Sequence, residues 1–426
     1  MKFTEAQKIH FVGIGGIGMS SIAQIIKSRG ADISGSDSTP SDITKTLESF
    51  AVIFNKHSKE NVPEDTDLVV YSPAVPSDNP EIIKAKEKNI PTISYSEALG
   101  HLSEEYFTIA IAGTHGKSTT TAMTSLSLES LDPTVVIGTK FNFFNNTNYR
   151  IGKSKYLIIE ACEYKETFLH VSPNILIITN IEADHLDYFK NEENYVNAYR
   201  KLVKKLNKED VLIINSNDKH SIDVSQDSKS KVIKWLKPNT NLKPQVPGEF
   251  NIENATFAYY AAKELNIENS EIIQQISKFQ GTWRRMERKG AIFNTAEFID
   301  DYAHHPTEIR ATLKALREEN PSSKILCIYQ PHQHSRTKYF LEEFGKAFKD
   351  ADQVLIPDIY KVRDEDSDVK EATTESLVNE ISKHHKNVIN GGGLKSTAEF
   401  IKNNHQNYDL IITMGAGNIT DIYKQL

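Results

Sequence analysis

Short apolar runs alternate with helical patterns along almost the whole chain, and this leaves few folds open. Ile9–Val12, Leu68–Tyr71, Ile109–Ala112, Leu157–Ile159, Ile175–Thr179, Val211–Ile214, Ile325–Tyr329, Val354–Ile356 and Leu410–Thr413 read as strands, with Phe293–Ile299 as another. They are rich in Val and Ile and mostly close on Gly, Asn, Asp or Pro. Strands without polar alternation are buried on both faces, so helices must cover both sides of parallel sheets. At 426 residues the chain is too long for one core. Seams fall at Ser94–Glu105 and near Arg288-Lys289-Gly290. The expectation is three α/β domains, at about 1–103, 104–288 and 289–426. A polar segment, Asp218–Pro247, separates the central strands from a helix starting near Asn251.

Composition narrows the class. The net charge is −7 and no basic run is long enough to follow a nucleic-acid backbone. Lys201, Lys204 and Lys205 cluster at helical spacing beside acidic residues, the pattern of a solvated face. Cys162 and Cys327 both lie in apolar, strand-like runs; two cysteines make no disulfide framework and suit a reducing cytoplasm. Four glycines interrupt Ile9–Gly18, so no secretory h-region is expected there, and no apolar stretch approaches membrane-spanning length.

Residues 113–119 read Gly-Thr-His-Gly-Lys-Ser-Thr, between the Phe107–Ala112 run and a helical stretch from Thr119 to about Leu128. A strand, a glycine turn and Lys-Ser at a helix start form a phosphate cradle, because backbone N–H groups and the helix dipole attract phosphate oxygens. Lys117 is expected to reach the β- and γ-phosphates, and the Ser118 hydroxyl to ligate Mg²⁺. The loop is tighter than G-x-x-x-x-G-K-[ST], since position 111 is Ile111.

An earlier turn, Gly13-Ile-Gly-Gly-Ile-Gly18, satisfies G-x-G-x-x-G after a strand, and Asp37 sits where a ribose-binding acid would lie. By itself it admits a dinucleotide or any other diphosphate, including a nucleotide-sugar. A second phosphate site favours a pyrophosphate-bearing substrate beside ATP.

Glu160 ends a strand, and Asp184-His185 follows another; carboxylates there are natural Mg²⁺ ligands. Trp283-Arg-Arg-Met286 sets two arginines at a seam. Asp300-Asp-Tyr-Ala-His-His-Pro-Thr307 and Gln330-Pro-His-Gln-His-Ser-Arg336 each follow a strand, where ligands of open parallel sheets bind.

Together these motifs resemble the Mur ligase family along essentially the whole chain. The resemblance rests on His10–Ser20, Gly113–Thr119, Glu160-Ala-Cys-Glu-Tyr164, Thr179-Asn-Ile-Glu-Ala-Asp-His185, Asp300–Glu308, Gln330-Pro-His332 with Ser335-Arg-Thr337, and Met414-Gly-Ala-Gly417. It implies a Rossmann-like N-terminal domain for UDP-N-acetylmuramate, a P-loop-type central ATPase and a Rossmann-like C-terminal domain for the amino acid. The first turn then grips the UDP diphosphate: Gly15, Gly16, Ile17, Gly18, Met19, Asp37, Ser72 and Ala74 match the substrate side. Gly113, Thr114, His115, Gly116, Lys117, Ser118 and Thr119, with Asn251, Arg285 and Asp301, match positions that hold ATP. Ser118, Glu160 and His185 match the Mg²⁺ positions, and His305, His332 and Arg336 the region that receives L-alanine. The chain departs from the pattern in having Phe250 in place of a histidine and Gln333 in place of a frequent arginine, and in a short Asp218–Pro247 span.

The resemblance further implies ligation through an acyl phosphate in peptidoglycan synthesis, in the cytoplasm, by a monomer or homodimer. Lys117, His185 and His305 are the catalytic candidates, a histidine being a plausible base for the amine. A tripeptide-recycling ligase is the nearest rival. An NAD-dependent oxidoreductase rests on the first turn alone.

Overall fold

The computed structural model describes residues 3–426 except 236 and 238–240, which lie within the Asp218–Pro247 span. Three sheets form three α/β domains. The first sheet holds β1 (Lys8–Val12), β2 (Asp32–Ser36), β3 (Val52–Phe54), β4 (Leu68–Tyr71) and β5 (Thr92–Ser94), all parallel, in the order β3-β2-β1-β4-β5. The second holds β6 (Phe107–Ala112), β7 (Thr134–Phe141), β8 (Thr147–Arg150), β9 (Tyr156–Glu160), β10 (Ile175–Ile178), β11 (Val211–Asn215) and β12 (Lys231–Trp235), in the order β12-β11-β10-β6-β9-β7-β8. The third holds β13 (Glu287–Ile292), β14 (Ala296–Asp301), β15 (Ile325–Tyr329), β16 (Gln353–Pro357), β17 (Val388–Gly392) and β18 (Leu410–Met414), in the order β13-β14-β18-β15-β16-β17.

The third sheet shows why the apolar runs are continuous. Ile325, Cys327 and Tyr329 pack into one core cluster, and Leu326 and Ile328 into another. Successive side chains point to opposite faces of a strand, so a sheet covered on both sides needs apolar residues at every position.

Strand ends carry the motifs. β6 lies between β9 and β10, with Ile111 opposite Glu160 and Ala112 opposite Ile178. This register brings the Gly113 turn, Glu160 and Thr179 to one edge. In the first sheet, Val12 pairs with Ser36 and Tyr71, which aligns the Gly13 turn with Asp37 and Ser72.

The chain divides into two compact units. One comprises Asp184–Glu192, Asn241–Asn254 and Ile276–Leu426; the other holds the first two sheets. Within the latter, the helix Ile17–Ser28 is tied to β8: Asn148 Nδ2 donates to Ile17 O and Ser21 Oγ, and Tyr149 OH donates to Gln24 Oε1 at 2.6 Å.

Several sequence expectations give way. Phe293 and Asn294 have φ of 50° and 57°, so they form the turn of the antiparallel β13–β14 hairpin, and the strand starts at Ala296. The polar Asp218–Pro247 span contains a helix, Lys219–Ser225, and edge strand β12. Cys162 is exposed, because it lies past the end of β9, while Cys327 is buried. Among the described residues, no helix is long and apolar enough to cross a membrane.

Candidate active site

The central turn is shaped by two glycines. Gly113 has φ +135° and Gly116 φ +81°, conformations that side chains with a Cβ rarely adopt. A Cβ on Gly113 would collide with Thr179 Oγ1. The following helix, Lys117–Ser127, is buried along nearly its whole length although rich in Thr and Ser. Some of its hydroxyls bond back to the helix itself: Thr121 Oγ1 donates to Lys117 O at 2.8 Å and Ser127 Oγ to Met123 O at 2.9 Å. Small side chains let the helix lie close to β7 and β9, although the buried Thr124 hydroxyl has no hydrogen-bond partner among the described residues.

Lys117 Nζ donates to Gly113 O at 2.7 Å, to Thr114 O at 2.9 Å and to Glu163 Oε1 at 3.1 Å. Burial pulls the Lys117 ammonium down, but the Glu163, Cys162 and Glu160 groups outweigh it, and its pKa is raised. Ser118 Oγ donates to Glu160 Oε1 at 3.1 Å, and Glu160 Oε2 accepts from Gly138 N at 2.8 Å. A hydroxyl and a carboxylate so placed are hard oxygen donors that fit Mg²⁺. His115 N donates to Asn180 Oδ1 and its Nε2 lies 2.9 Å from Glu182 Oε2. Thr114 Oγ1 donates to Glu182 O at 2.8 Å. Thr119 is buried in the first turn of the helix.

The first turn is built on Asp37 and Ser36. Gly13 N and Ile14 N donate to Ser36 O, and Gly15 N donates to Asp37 Oδ2 at 2.9 Å. Asp37 Oδ1 accepts from Thr39 N. The expected ribose acid thus also props the turn itself. Gly16 caps the helix containing Ile17, Gly18 and Met19. The Tyr95 ring packs on Gly18, where an added Cβ would meet its Cζ at 2.5 Å. Ser72 Oγ accepts from the N–H of Ala74 at 3.3 Å.

The third domain's unit gathers a second constellation. Arg336 donates from Nε and Nη2 to Asp184 Oδ1 at 3.1 and 2.9 Å. Asp184 Oδ2 lies 3.8 Å from His304 Nε2 and 3.9 Å from His185 Nε2. Burial pushes the Asp184 carboxyl up, but Arg336, His185 and His304 hold it well below the usual range. His332 Nδ1 lies 3.1 Å from Arg336 Nη1, and its ring stacks on Tyr360 at 5.6 Å and 12°. Burial, with the nearby Arg336 charge, pulls its pKa down to about 3, so the ring is neutral. His305 caps the helix Pro306–Glu319, its Nδ1 accepting from Thr307 N at 3.3 Å. That lone pair is engaged, so the neutral ring carries its proton on Nε2 and is a donor before it is a base.

Of the two seam arginines, Arg284 is structural. It is 3% exposed, pairs with Asp300 and donates to the carbonyls of Gly415 and Gly417. Arg285 is the more open one, over the Tyr302 ring at 5.0 Å and 3.9 Å from Glu308. Asp301 accepts from Met286 N and Ala303 N, and burial pushes its carboxyl up to about 6 against the opposing Arg285 charge. Asn251 is buried and donates from Nδ2 to Pro247 O at 2.6 Å.

Sequence reading missed Glu163, Asp184's bond to Arg336, and His304. Glu163 stood inside a quoted motif, but its spacing from Glu160 did not reveal that the loop turns it back onto Lys117. Lys165 and Glu166, in left-handed conformations, follow it.

Three family models match consecutive parts of the chain: Mur ligase family, catalytic domain, over 8–107; Mur ligase middle domain, over 111–241; and Mur ligase, glutamate ligase domain, over 284–417. The chain belongs to the Mur ligase family. Among similar proteins, the UDP-N-acetylmuramate–L-alanine ligase of Acetivibrio thermocellus is 40% identical, with 98% of this chain and 94% of the relative covered. That of Clostridium tetani is 39% identical, with 98% and 96% covered. The crystal structure of UDP-N-acetylmuramate–alanine ligase from Thermotoga maritima superposes with a TM-score of 0.82 at 29% identity, covering 98% of this chain and 97% of that one. A murein peptide ligase from Psychrobacter arcticus shares the fold, with a TM-score of 0.70 at 21% identity over 99% and 98% of the two chains.

In this Mur ligase, Phe250 packs against the third domain's core. Gln333, buried with φ +73°, donates from Nε2 to Val362 O at 3.3 Å. Both departures from the family pattern are therefore accommodated by packing in the third domain's unit.

Proposed function

We propose that this chain joins L-alanine to the carboxylate of UDP-N-acetylmuramate at the expense of ATP, in the cytoplasmic stage of peptidoglycan synthesis. The observation that carries the reading is the Gly113–Thr119 turn, with Lys117 held by Glu163 and Ser118 by Glu160. Full-length similarity to L-alanine ligases supports the choice of amino acid. The domains are assigned to 1–103 for the sugar nucleotide, 104–288 for ATP and 289–426 for the amino acid.

A carboxylate and an amine form an unreactive salt at neutral pH, so the carboxylate oxygen must first become part of a leaving group. One muramate carboxylate oxygen attacks the γ-phosphorus of ATP, and ADP leaves. The alanine amine, deprotonated, attacks the acyl carbon, and inorganic phosphate leaves as the amide forms. Two anions must meet in the first step. Lys117, kept charged by Glu163, neutralises the phosphates, and N–H groups at the start of its helix orient them. Mg²⁺, when bound, supplies further charge neutralisation, and Ser118 and Glu160 are the residues that would hold it. The N-terminus of the Ile17–Ser28 helix, with Gly15 and Gly16 before it, grips the UDP diphosphate, with Asp37, Ser72 and Ala74 around it. Asn251, Arg285 and Asp301 serve the nucleotide. His332 and Arg336 shape the alanine pocket, and His305 orients the reacting groups as a donor.

The test is ADP release by the purified protein with UDP-N-acetylmuramate and either L-alanine or a tripeptide. L-Alanine is expected to stimulate release and to appear in the product. Stimulation by the tripeptide alone would overturn the reading.

A further inference from the structure

The carboxylate of the sugar nucleotide must approach the γ-phosphate, and both are anions, so a cation along that path lowers the cost of the encounter. Glu163, which holds Lys117 at the ATP turn, opens a short loop that ends beside the other turn. Two residues after it, Lys165 Nζ donates to Pro73 O at 3.3 Å. Pro73 follows Ser72, whose N donates to Val12 O at 2.9 Å. A Cβ on Gly13 would meet Ser72 Cβ at 2.9 Å and Val75 Cγ2 at 3.1 Å, so segment 72–75 lies directly against the first glycine turn.

Lys165 is exposed, and among the described residues no carboxylate pairs with it. Apart from Pro73 O, its ammonium meets the Tyr164 ring, at 5.7 Å. Pro73 and Ala74 are exposed as well, so the place is open to a ligand. The backbone beneath the ammonium is fixed. Lys165 and Glu166 are both left-handed, with φ of 53° and 55°. Consecutive left-handed residues with side chains are strained, and such strain persists where surrounding bonds impose it. Here Glu166 N donates to Glu163 O at 2.8 Å and Phe168 N to Cys162 O at 2.9 Å, and Lys201 Nζ pairs with Glu166 Oε1 at 2.7 Å. One reversal thus aims Glu163 at Lys117 and Lys165 at Pro73.

We infer that Lys165 binds the carboxylate of UDP-N-acetylmuramate, holding one of its oxygens while the other attacks the γ-phosphorus and ADP leaves. The inference rests on the ligase reading above. The diphosphate of the same substrate has its own donors, the N–H groups at the start of the Ile17–Ser28 helix. The carboxylate is the group that must extend from that turn to the ATP turn, and Lys165 stands on the loop that touches both. The fixed loop preorganises the cation before the substrate arrives.

The experiment measures binding by titration calorimetry for Lys165→Ala, Lys165→Arg and the unaltered protein. The ligands are UDP-N-acetylmuramate and UDP-N-acetylglucosamine, which carries the same diphosphate but no carboxylate. Loss of one charge-assisted bond is expected to weaken UDP-N-acetylmuramate binding about 10-fold in Lys165→Ala. Lys165→Arg should keep most of the affinity, and UDP-N-acetylglucosamine should bind all three proteins alike. In turnover assays the KM for UDP-N-acetylmuramate should rise in Lys165→Ala while the KM for ATP stays unchanged. Unchanged binding of UDP-N-acetylmuramate overturns the assignment. An equal loss with both sugar nucleotides also overturns it, by placing Lys165 at the diphosphate, and leaves the ligase reading intact. Failure of the unaltered protein to release ADP with UDP-N-acetylmuramate and L-alanine overturns the ligase reading, and this role with it.

Discussion

The Lys117 ammonium lies 3.1 Å from Glu163 Oε1 and 3.0 Å from Glu163 Oε2. Glu163 sits in the turn after β9, and Lys117 begins the helix after β6, so adjacent strands deliver the two partners. The pair keeps a cation at the phosphate turn in spite of its burial.

Lys117→Ala is therefore expected to lower ADP release about 10²- to 10³-fold, the usual cost of removing one preorganised charge-stabilising group. Titration calorimetry should show UDP-N-acetylmuramate binding nearly as before, because that diphosphate belongs to the first turn. Loss of sugar-nucleotide binding in a folded variant would contradict the division of the two sites.

Gly18 and Tyr95 make a second test. A Cβ at Gly18 would press on the Tyr95 ring and hydroxyl. Gly18→Ala is expected to weaken sugar-nucleotide binding about 10-fold or more by shifting the helix start, with overpacking costing about 1–3 kcal/mol. Adding Tyr95→Leu should restore part of the affinity. An unrestored double variant would show that the glycine is required for another reason.

The first domain hides a pH-sensitive element. Glu81 is fully buried, with His10, Ser36, His57, Ser58 and Asn61 around its carboxylate. Burial pushes Glu81 up, but the nearby His10 ring and hydrogen bonds from Ser36 and Asn61 outweigh it and bring the pKa from 4.5 down to about 2. A depressed carboxylate contributes its stability fully above the unfolded value, and the contribution fades as pH falls from about 4.5 towards 2. The shift corresponds to about 3 kcal/mol. Urea melts of the unaltered protein should lose more stability across that window than those of Glu81→Gln. Parallel losses would refute the assignment.

Asp184 and Arg336 form a buried pair whose halves are not equivalent to delete. Asp184→Ala leaves the Arg336 guanidinium buried without its partner and is expected to cost about 3–5 kcal/mol. Asp184→Asn keeps the accepting oxygen and should cost less. Denaturant midpoints for the two variants check this order; equal costs would mean that the bond to Arg336 contributes little.

Long apolar strands such as Ile325–Tyr329 and Leu410–Met414 were legible because burial on both faces leaves no polar position. Edge strands were not. Thr92–Ser94 and Val388–Gly392 are short, partly exposed and contain Ser or Gly, so their pairing comes from a neighbour and not from their own pattern. The glycine turns were legible because positive φ restricts the residue type. The Arg284 side chain was not: read only as one of two arginines at a seam, it locks the turn at Gly415 and Gly417.

The sequence by itself determined the three parallel-sheet domains and the two phosphate turns, because periodicity, glycine and Lys-Ser are local in the chain. Only the tertiary structure decided which charges face each other. Glu163 reaches Lys117 across 46 positions, and Asp184 reaches Arg336 across 152. Sheet order and loop reversal make those meetings, and no local pattern encodes them.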